Sequence, residues 1–423
     1  MKKHVILSLL VLLVTVMLAG CGNNVGNNSS DDSEEVVEEE KEVKKERKKR
    51  DKKDKDDPKK PKDPENNDKP EDPEQPDEPE VTDVPKSERD LSLLEYNIIS
   101  DEYTEVPVVF VSSSSQLDVD SDYYKYNANN LVDHDNSTAF VEGVDGEGIG
   151  EMVRFEFGYS SDASTYTVTK IVVHPGYQKS KETFDNNARP KQLEFHFSDG
   201  SVVEADLGDD YAETDEFSIT FDPILVSDCT MIIKDTVSGK KYEDCCISEI
   251  SFYSQDTDGI MYSERDIRSE GDEAKYTIEA YSEGNEYWSY DTDNPLTELT
   301  SGGAYITTKD GVVYVYNEGN IVALDGLTGE TLWVNKKFGG YPSAWDFDEE
   351  GNLYLCGYYG PDLCVFDKDG KILLYKGTLV DNVCCWPSML VVDDETDTVS
   401  IYYNHCDDVD GDYGVIFSCK IDK

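Results

Sequence analysis

The sequence predicts an all-β protein: a β-sandwich, then a partial or small β-propeller-like repeat domain, both behind a disordered N-terminal tether. Three observations carry that expectation. Between Leu91 and Tyr253, short runs alternate apolar and polar residues between clusters of Asp, Gly, Ser and Asn, as in MVRFEFG at 152–158 and KQLEFHFSDG at 191–200. Period-two alternation belongs to strands with one buried face, and frequent turn residues suit an antiparallel sandwich. From Gly284 a unit recurs, with Gly284-Asn-Glu-Tyr-Trp288, Gly329-Glu-Thr-Leu-Trp333 and Gly370-Lys-Ile-Leu-Leu374 in register. Its strand–turn–strand grammar and a period of roughly 40–45 residues indicate propeller blades. Residues 22–90 contain almost nothing apolar beyond a few Val, so no core can form there.

The N-terminus predicts an address. Lys2 and Lys3 precede an apolar run from Val5 to Leu18, too short to span a bilayer as a helix but suited to a signal peptide. The run ends in Leu18-Ala19-Gly20-Cys21, which resembles the lipobox of bacterial lipoproteins. That resemblance implies cleavage of 1–20 and acylation of the Cys21 thiol. Two or three acyl chains, at about 0.8 kcal/mol per buried methylene, would anchor the chain to the extracytoplasmic face of the cell membrane. Residues 21–90 then read as a tether, Glu/Lys-rich first and Pro-rich and extended later.

Charge narrows the partners. The chain of 423 residues carries 91 Asp and Glu against 39 Lys and Arg, a formal net charge of −52. Residues 1–90 hold 18 basic and 25 acidic side chains, so the acid sits on the folded part. Nucleic acid is thereby excluded as the main partner, because phosphate binding needs clustered cations.

The first domain, 91–256, carries a specific resemblance. The stretch NLVDHDNSTAFVEGVDGEGIGEMVRFEF at 130–157 is similar to the loop and first core strand of discoidin-like, galactose-binding-like jelly rolls. The branch it resembles is the translocation domain of streptococcal NAD glycohydrolase, often called a glycan-binding domain. The blocks at 176–191, 193–200 and 240–253 fit that branch in order, with Phe140 where related sequences usually carry Trp. The enzymatic domain of the glycohydrolase has no counterpart.

Two sites are expected on this domain. The acidic loop offers carboxylates, carbonyls and a hydroxyl, the hard oxygens that Ca²⁺ prefers. The resemblance adds a Glu on the last strand, so Asp133, Asp135, Thr138 and Glu249 form a candidate structural calcium site; the same acids would equally serve as Asx turns. For a glycan ligand, Tyr177, Lys179, Asn187 and Arg189 supply an aromatic face and polar reach, with internal loop bracing the alternative for Asn187 and Arg189. His196, on a strand face, reads as a packed neutral residue.

After a polar connector at 257–274, the second domain occupies 275–423. Its segment IVALDGLTGETLW closely resembles the repeats of pyrroloquinoline-quinone-type propellers, a group that includes non-enzymatic scaffolds. The length suits about three and a half blades, fewer than the four to eight or so of a closed ring, so the array is open or minimal, or made of four irregular blades. No quinone site is expected; Trp288 and Trp333 read as core anchors, and Tyr358, Tyr359 and Trp386 as a candidate loop surface. Cys21 apart, the nine cysteines include no CxxC, and a Cys356–Cys364 bridge is one candidate pairing.

No paired nucleophile and base, metal-ligand cluster or phosphate loop stands out. The expected function is therefore non-catalytic: a cell-surface lipoprotein whose discoidin-like domain recognises a glycan or surface ligand beside a propeller-like interaction module. The alternatives are an envelope scaffold that binds proteins, and an extracytoplasmic enzyme with its site on the propeller-like domain.

Overall fold

The computed structural model describes residues 91–117, 124–159, 162–267, 275–282, 284–295, 306–379, 387–403 and 415–420. The signal peptide, Cys21, the tether, Trp386, Cys384, Cys385 and Cys406 lie outside the described residues. Six antiparallel sheets follow one another in a propeller-like arrangement, two forming the sandwich and four forming blades.

Sandwich strands are β1 (Ile98–Glu105), β2 (Val108–Ser113), β3 (Phe140–Val141), β4 (Met152–Tyr159), β5 (Asp162–Ala163) and β6 (Tyr166–Pro175). After helix α1 (Lys181–Asn186) come β7 (Arg189–Phe197), β8 (Val202–Asp206), β9 (Phe217–Val226), β10 (Asp228–Val237) and β11 (Cys246–Thr257). One sheet runs β1-β11-β6-β9 with β3 on β11; the other runs β2-β4-β10-β7-β8 with β5 on β4. Alternation fills the core from both sheets: Val153, Phe155 and Phe157 of β4 meet Leu193, Phe195 and Phe197 of β7 and Phe252 of β11. Phe140 is fully buried there.

The alternate residues of the second sheet are buried as well. Met152, Arg154, Thr230, Ile232, His196 and Ser198 face away from the sandwich core, yet each is at most 8% exposed. A sheet with both faces covered needs a second layer, and the blades supply it.

The blades are β12 (Met261–Ile267), β13 (Lys275–Ser282) and β14 (Asn285–Pro295); β15 (Ile306–Lys309), β16 (Val312–Asn317), β17 (Asn320–Asp325) and β18 (Thr331–Asn335); β19 (Tyr341–Phe347), β20 (Leu353–Tyr358), β21 (Leu363–Phe366) and β22 (Ile372–Lys376); and β23 (Pro387–Asp393), β24 (Thr398–Tyr403) and β25 (Val415–Lys420). Of the alternatives the length allows, the described residues form four irregular meanders, of three, four, four and three strands. The stretch 257–274 is not all connector: β12 lies within it, because Ile260 and Tyr262 bury themselves beside Leu225 and Trp288 despite their polar neighbours.

The first two repeats dock their tryptophans on the next glycine turn. A Cβ on Gly329 would lie 2.6 Å from the Trp288 ring, and one on Gly370 would lie 2.5 Å from Trp333. Trp288 Nε1 donates to the Gly326 carbonyl at 2.8 Å, and Trp333 Nε1 to that of Lys368 at 3.0 Å. Both glycines have left-handed backbones, φ 69° and 79°, so the turn and the ring demand glycine together. Cys356 and Cys364 are free thiols in the layers on either side of the third blade, Cys364 with the second blade's residues and Cys356 with the fourth's. Period-two alternation puts them on opposite faces, which corrects the expected bridge.

The sandwich closes the blade array. At the first blade, Thr165 N–H donates to the Tyr262 carbonyl at 2.8 Å, and Tyr262 N–H to Thr165 Oγ1 at 2.9 Å. At the last blade, Met152 and Ile232 pack on Met389, Val391 and Tyr402. Between these ends, the inner strand β15 sends the Thr307 and Thr308 hydroxyls to the Ser198 and Leu225 carbonyls. Arg154, 2% exposed, reaches furthest inward. Its Nε donates to Asp228 Oδ1 at 3.2 Å, Glu156 lies 3.2 Å from Nη1, and Nη1 donates to the carbonyls of Ser343 on β19 and Ser388 on β23. Burial works against its charge, but Asp228 and Glu156 outweigh burial and push the pKa up.

Arg154→Ala strips the partner from two buried carboxylates and two blade carbonyls. Removing one member of a buried pair costs about 3–5 kcal/mol, so the variant is expected to unfold at markedly lower denaturant than wild type. A loss under about 1 kcal/mol would show the joint to be incidental.

Candidate functional site

The loops at one end of the sandwich gather most of the candidate residues. The chain between β2 and β3 includes Tyr124–Tyr126, a 3₁₀ turn at Ala128–Leu131 and the acidic loop Asp133–Thr138. Beside it lies the Gly176–Ser180 loop that follows β6. Ser248 of β11, fully buried, pins the two together: its Oγ lies 3.0 Å from the Gly176 carbonyl and 3.1 Å from that of Thr138, and it accepts from Gln178 N–H at 3.0 Å.

In the acidic loop, His134 takes a left-handed backbone at φ 59° and turns the next amides inward. Asp135 N–H donates to Asp133 Oδ1 and to Glu249 Oε1, both at 2.9 Å. Thr138 Oγ1 lies 2.8 Å from Asp133 Oδ2. The Asp135 carboxylate accepts from Ser137 N–H at 2.9 Å in an Asx turn; the Ser137 side chain and then this amide hold its pKa below the usual range.

Glu249 is 3% exposed, and its Oε2 has no hydrogen-bond partner. Burial and the adjacent Asp133 carboxylate push its pKa up to about 8. Two carboxylates pressed together with an orphaned buried oxygen attract a proton or a cation. The donors fit a hard cation: Asp133, Glu249, the Thr138 hydroxyl and loop carbonyls are all oxygen. Among the described residues no three His, Cys, Asp or Glu side chains form a metal cluster, so carbonyls would have to complete the shell.

Tyr177 and Lys179 flank this loop. Tyr177 meets Tyr126 edge-to-face, with centroids 6.3 Å apart, and the Lys125 ammonium sits 4.7 Å from the Tyr126 centroid. Lys179 is exposed, and its charge helps hold the Asp135 pKa down. Asn187 and Arg189 are committed elsewhere. Asn187 caps α1, its Nδ2 donating to the Thr183 carbonyl at 2.7 Å. The Arg189 guanidinium lies 4.9 and 5.1 Å from the Phe184 and Tyr211 centroids, an internal brace. Sequence reasoning missed Tyr124, Lys125 and Tyr126; Tyr124 is 71% exposed. The aromatic cluster YYKY at 123–126 was the available signal.

Two other features bear on the chemistry. Glu142, fully buried, accepts from the N–H groups of Cys245 and Val144 at 2.9 Å each. Burial pushes its pKa up to about 7. A cleft of about 370 Å³ separates the sandwich from the last blade and is lined by His196, Lys234, Asp393 and Ser400. Its basic side chains are engaged: Lys234 and His196 both contact Glu194, at 2.6 and 3.2 Å.

The raised carboxyl pKa values set a pH dependence. Glu142 and Glu249 hold protons more tightly folded than unfolded, so folding takes up protons between roughly pH 4.5 and 8. Their stabilisation is full below the unfolded pKa and is lost as pH rises through about 7 and about 8. Thermal melts in chelator are expected to fall across that window, less steeply in Glu249→Gln. Added CaCl₂ should raise the wild-type midpoint at pH 8 but not that of Glu249→Gln. A wild-type midpoint indifferent to both pH and calcium would contradict this reading.

Residues 102–253 match the family model of the NAD glycohydrolase translocation F5/8 type C domain. Curated proteins include no match to the chain. Solved structures similar to it include the family 32 carbohydrate-binding module of C. perfringens NanJ in complex with galactose, 16% identical, TM-score 0.28. The similarity covers 36% of this chain and 100% of that one. A second family 32 module, from Clostridium perfringens in complex with GalNAc-β-1,3-galactose, is 14% identical with a TM-score of 0.26, over 34% and 94%. A chitosan-binding module from a Paenibacillus sp. chitosanase/glucanase is 12% identical, TM-score 0.26, over 36% and 100%. The sandwich is thus similar, over residues 102–253, to an F5/8 type C domain, and it has a discoidin-like fold joined to propeller-like blades.

Proposed function

We propose that the chain is a non-catalytic, glycan-binding surface lipoprotein, anchored to the extracytoplasmic face of the cell membrane through Cys21 and held out on residues 21–90. The observation that carries the binding role is the edge-to-face pair of Tyr126 and Tyr177 at the loop end, with exposed Tyr124, Lys125 and Lys179 on the same loops, pinned together by Ser248. Aromatic faces cover the apolar side of a pyranose, and ammonium groups donate to its hydroxyls. A cation at Asp133 and Glu249 would stiffen the loop beside the pair, with no part in any reaction. The matched family and the carbohydrate-bound solved structures agree with this reading.

A glycan array probed with the intact chain tests it. Retention of one sugar class is expected, weakened about tenfold or more by Tyr177→Ala or Tyr126→Ala. A silent array, with envelope proteins recovered by crosslinking instead, would favour the scaffold.

A further inference from the structure

The last blade is short of a strand. The second and third blades each end in a fourth strand, β18 and β22, paired on the third strands β17 and β21. Among the described residues the last blade stops at three, β23-β24-β25, and no strand pairs with the far edge of β25. Burial follows the pairing. All four residues of β21 and residues 321–325 of β17 are buried, whereas Ile416, Phe417 and Cys419 of β25 are only half-buried and Ser418 and Lys420 are exposed. β25 thus keeps the apolar make-up of a covered third strand without the cover. An edge strand in that state offers a row of unpaired N–H and C=O groups to another chain.

Beside this edge lies the cleft of about 370 Å³ between the last blade and the sandwich, lined by Ile416 and Ser418 on one side and by Ile149, Ile232 and Lys234 on the other. The second blade shows what fills such a place. Trp333 of β18 sits opposite Ala323 of β17, is 3% exposed and stacks on Phe366 of the next blade, with centroids 6.1 Å apart. Residues opposite one another on paired strands share a face of the sheet. A residue opposite Ile416 or Ser418 on an added strand therefore points into the cleft, as Trp333 points into the gap between its blades.

Charge marks the direction. In the second and third blades the end of the third strand pairs with the start of the fourth, Leu324 with Thr331 and Phe366 with Ile372. The same register sets the start of an added strand beside Lys420, which lies opposite Thr398. The turn at 393–397, just before Thr398, carries three Asp and one Glu. A basic residue ahead of the added strand fits there, in the place that Lys371 holds ahead of β22.

We propose that β25 is a strand-accepting edge, on which an extended segment of a partner protein pairs antiparallel as the fourth strand of the last blade. The segment is apolar, puts one large side chain into the cleft and carries a basic residue beside the acidic turn. Main-chain pairing supplies affinity and the cleft supplies selectivity. This protein-binding role is independent of the glycan reading.

The test titrates the intact chain with two synthetic peptides copied from the fourth strands, ETLWVNK and GKILLYK. Both are expected to bind. N-methylation of one alternate set of peptide amides should cost about tenfold or more, and methylation of the other set little, because only one edge of the added strand faces β25. Ser418→Trp, whose own ring fills the cleft, should also weaken binding about tenfold or more, with thermal melts checking that the variant folds; the N-methyl series decides if it does not. Tyr177→Ala should bind both peptides as wild type does, which separates this edge from the glycan site. The proposal is overturned if neither peptide binds or if the two methylated sets bind equally. A wild-type chain that dimerises through this edge, with the dimer lost in Ser418→Trp, would overturn it in favour of a second copy.

Discussion

The structure turns on one buried guanidinium. Arg154 leaves the sandwich sheet, is balanced by Asp228 and Glu156, and donates to the carbonyls of Ser343 and Ser388 where two inner blade strands begin. An open arc of blades would leave its end faces and inner edges wet and its polar backbone unpartnered. The sandwich meets that need at both ends, through Thr165 and Tyr262 at the first blade and Met152 and Ile232 at the last. A buried charge of this kind adds little net stability, but its geometry is demanding, which suits it to fixing how two domains dock.

This docking decides where recognition can occur. Because the blades pack on the outer face of the β4–β10–β7 sheet, that face is reached only through the cleft beside His196 and Lys234. On the sandwich the loop end, where Tyr126 and Tyr177 meet, remains open. The chain carries a formal net charge of −52. Acid is concentrated in turns such as those at Asp348 and Asp367, whose carboxylates accept from their own loop amides, for example Asn352 and Lys371 N–H. Turn chemistry therefore accounts for part of the excess acid.

Much of the fold was legible because period-two alternation is a local property. The strands at 152–158 and 191–197 read directly, as did the Gly–Trp repeat, since each glycine and each tryptophan occupies a fixed place in its own unit. The acidic loop was legible as a loop, but only the family resemblance tied it to Glu249, a strand away in space and far along the chain. What failed to read was whatever depends on a second element. Arg154 sits in an alternating strand and looks like a solvent-facing residue; nothing local says that another domain covers it. Arg189 reads as a ligand contact or as an internal brace, and only Phe184 and Tyr211, brought beside it in the fold, favour the brace. Tyr126 gains its role only beside Tyr177. The strand β12 was hidden by polar residues around Ile260 and Tyr262, two side chains that find their core across the domain boundary.

The central claim is that the discoidin-like sandwich completes the blade array, so that the two are one cooperative structure. Differential scanning calorimetry of the intact chain tests it most directly. The account predicts a single transition whose van't Hoff and calorimetric enthalpies agree. Two separable transitions, with the sandwich melting independently of the blades, would contradict it.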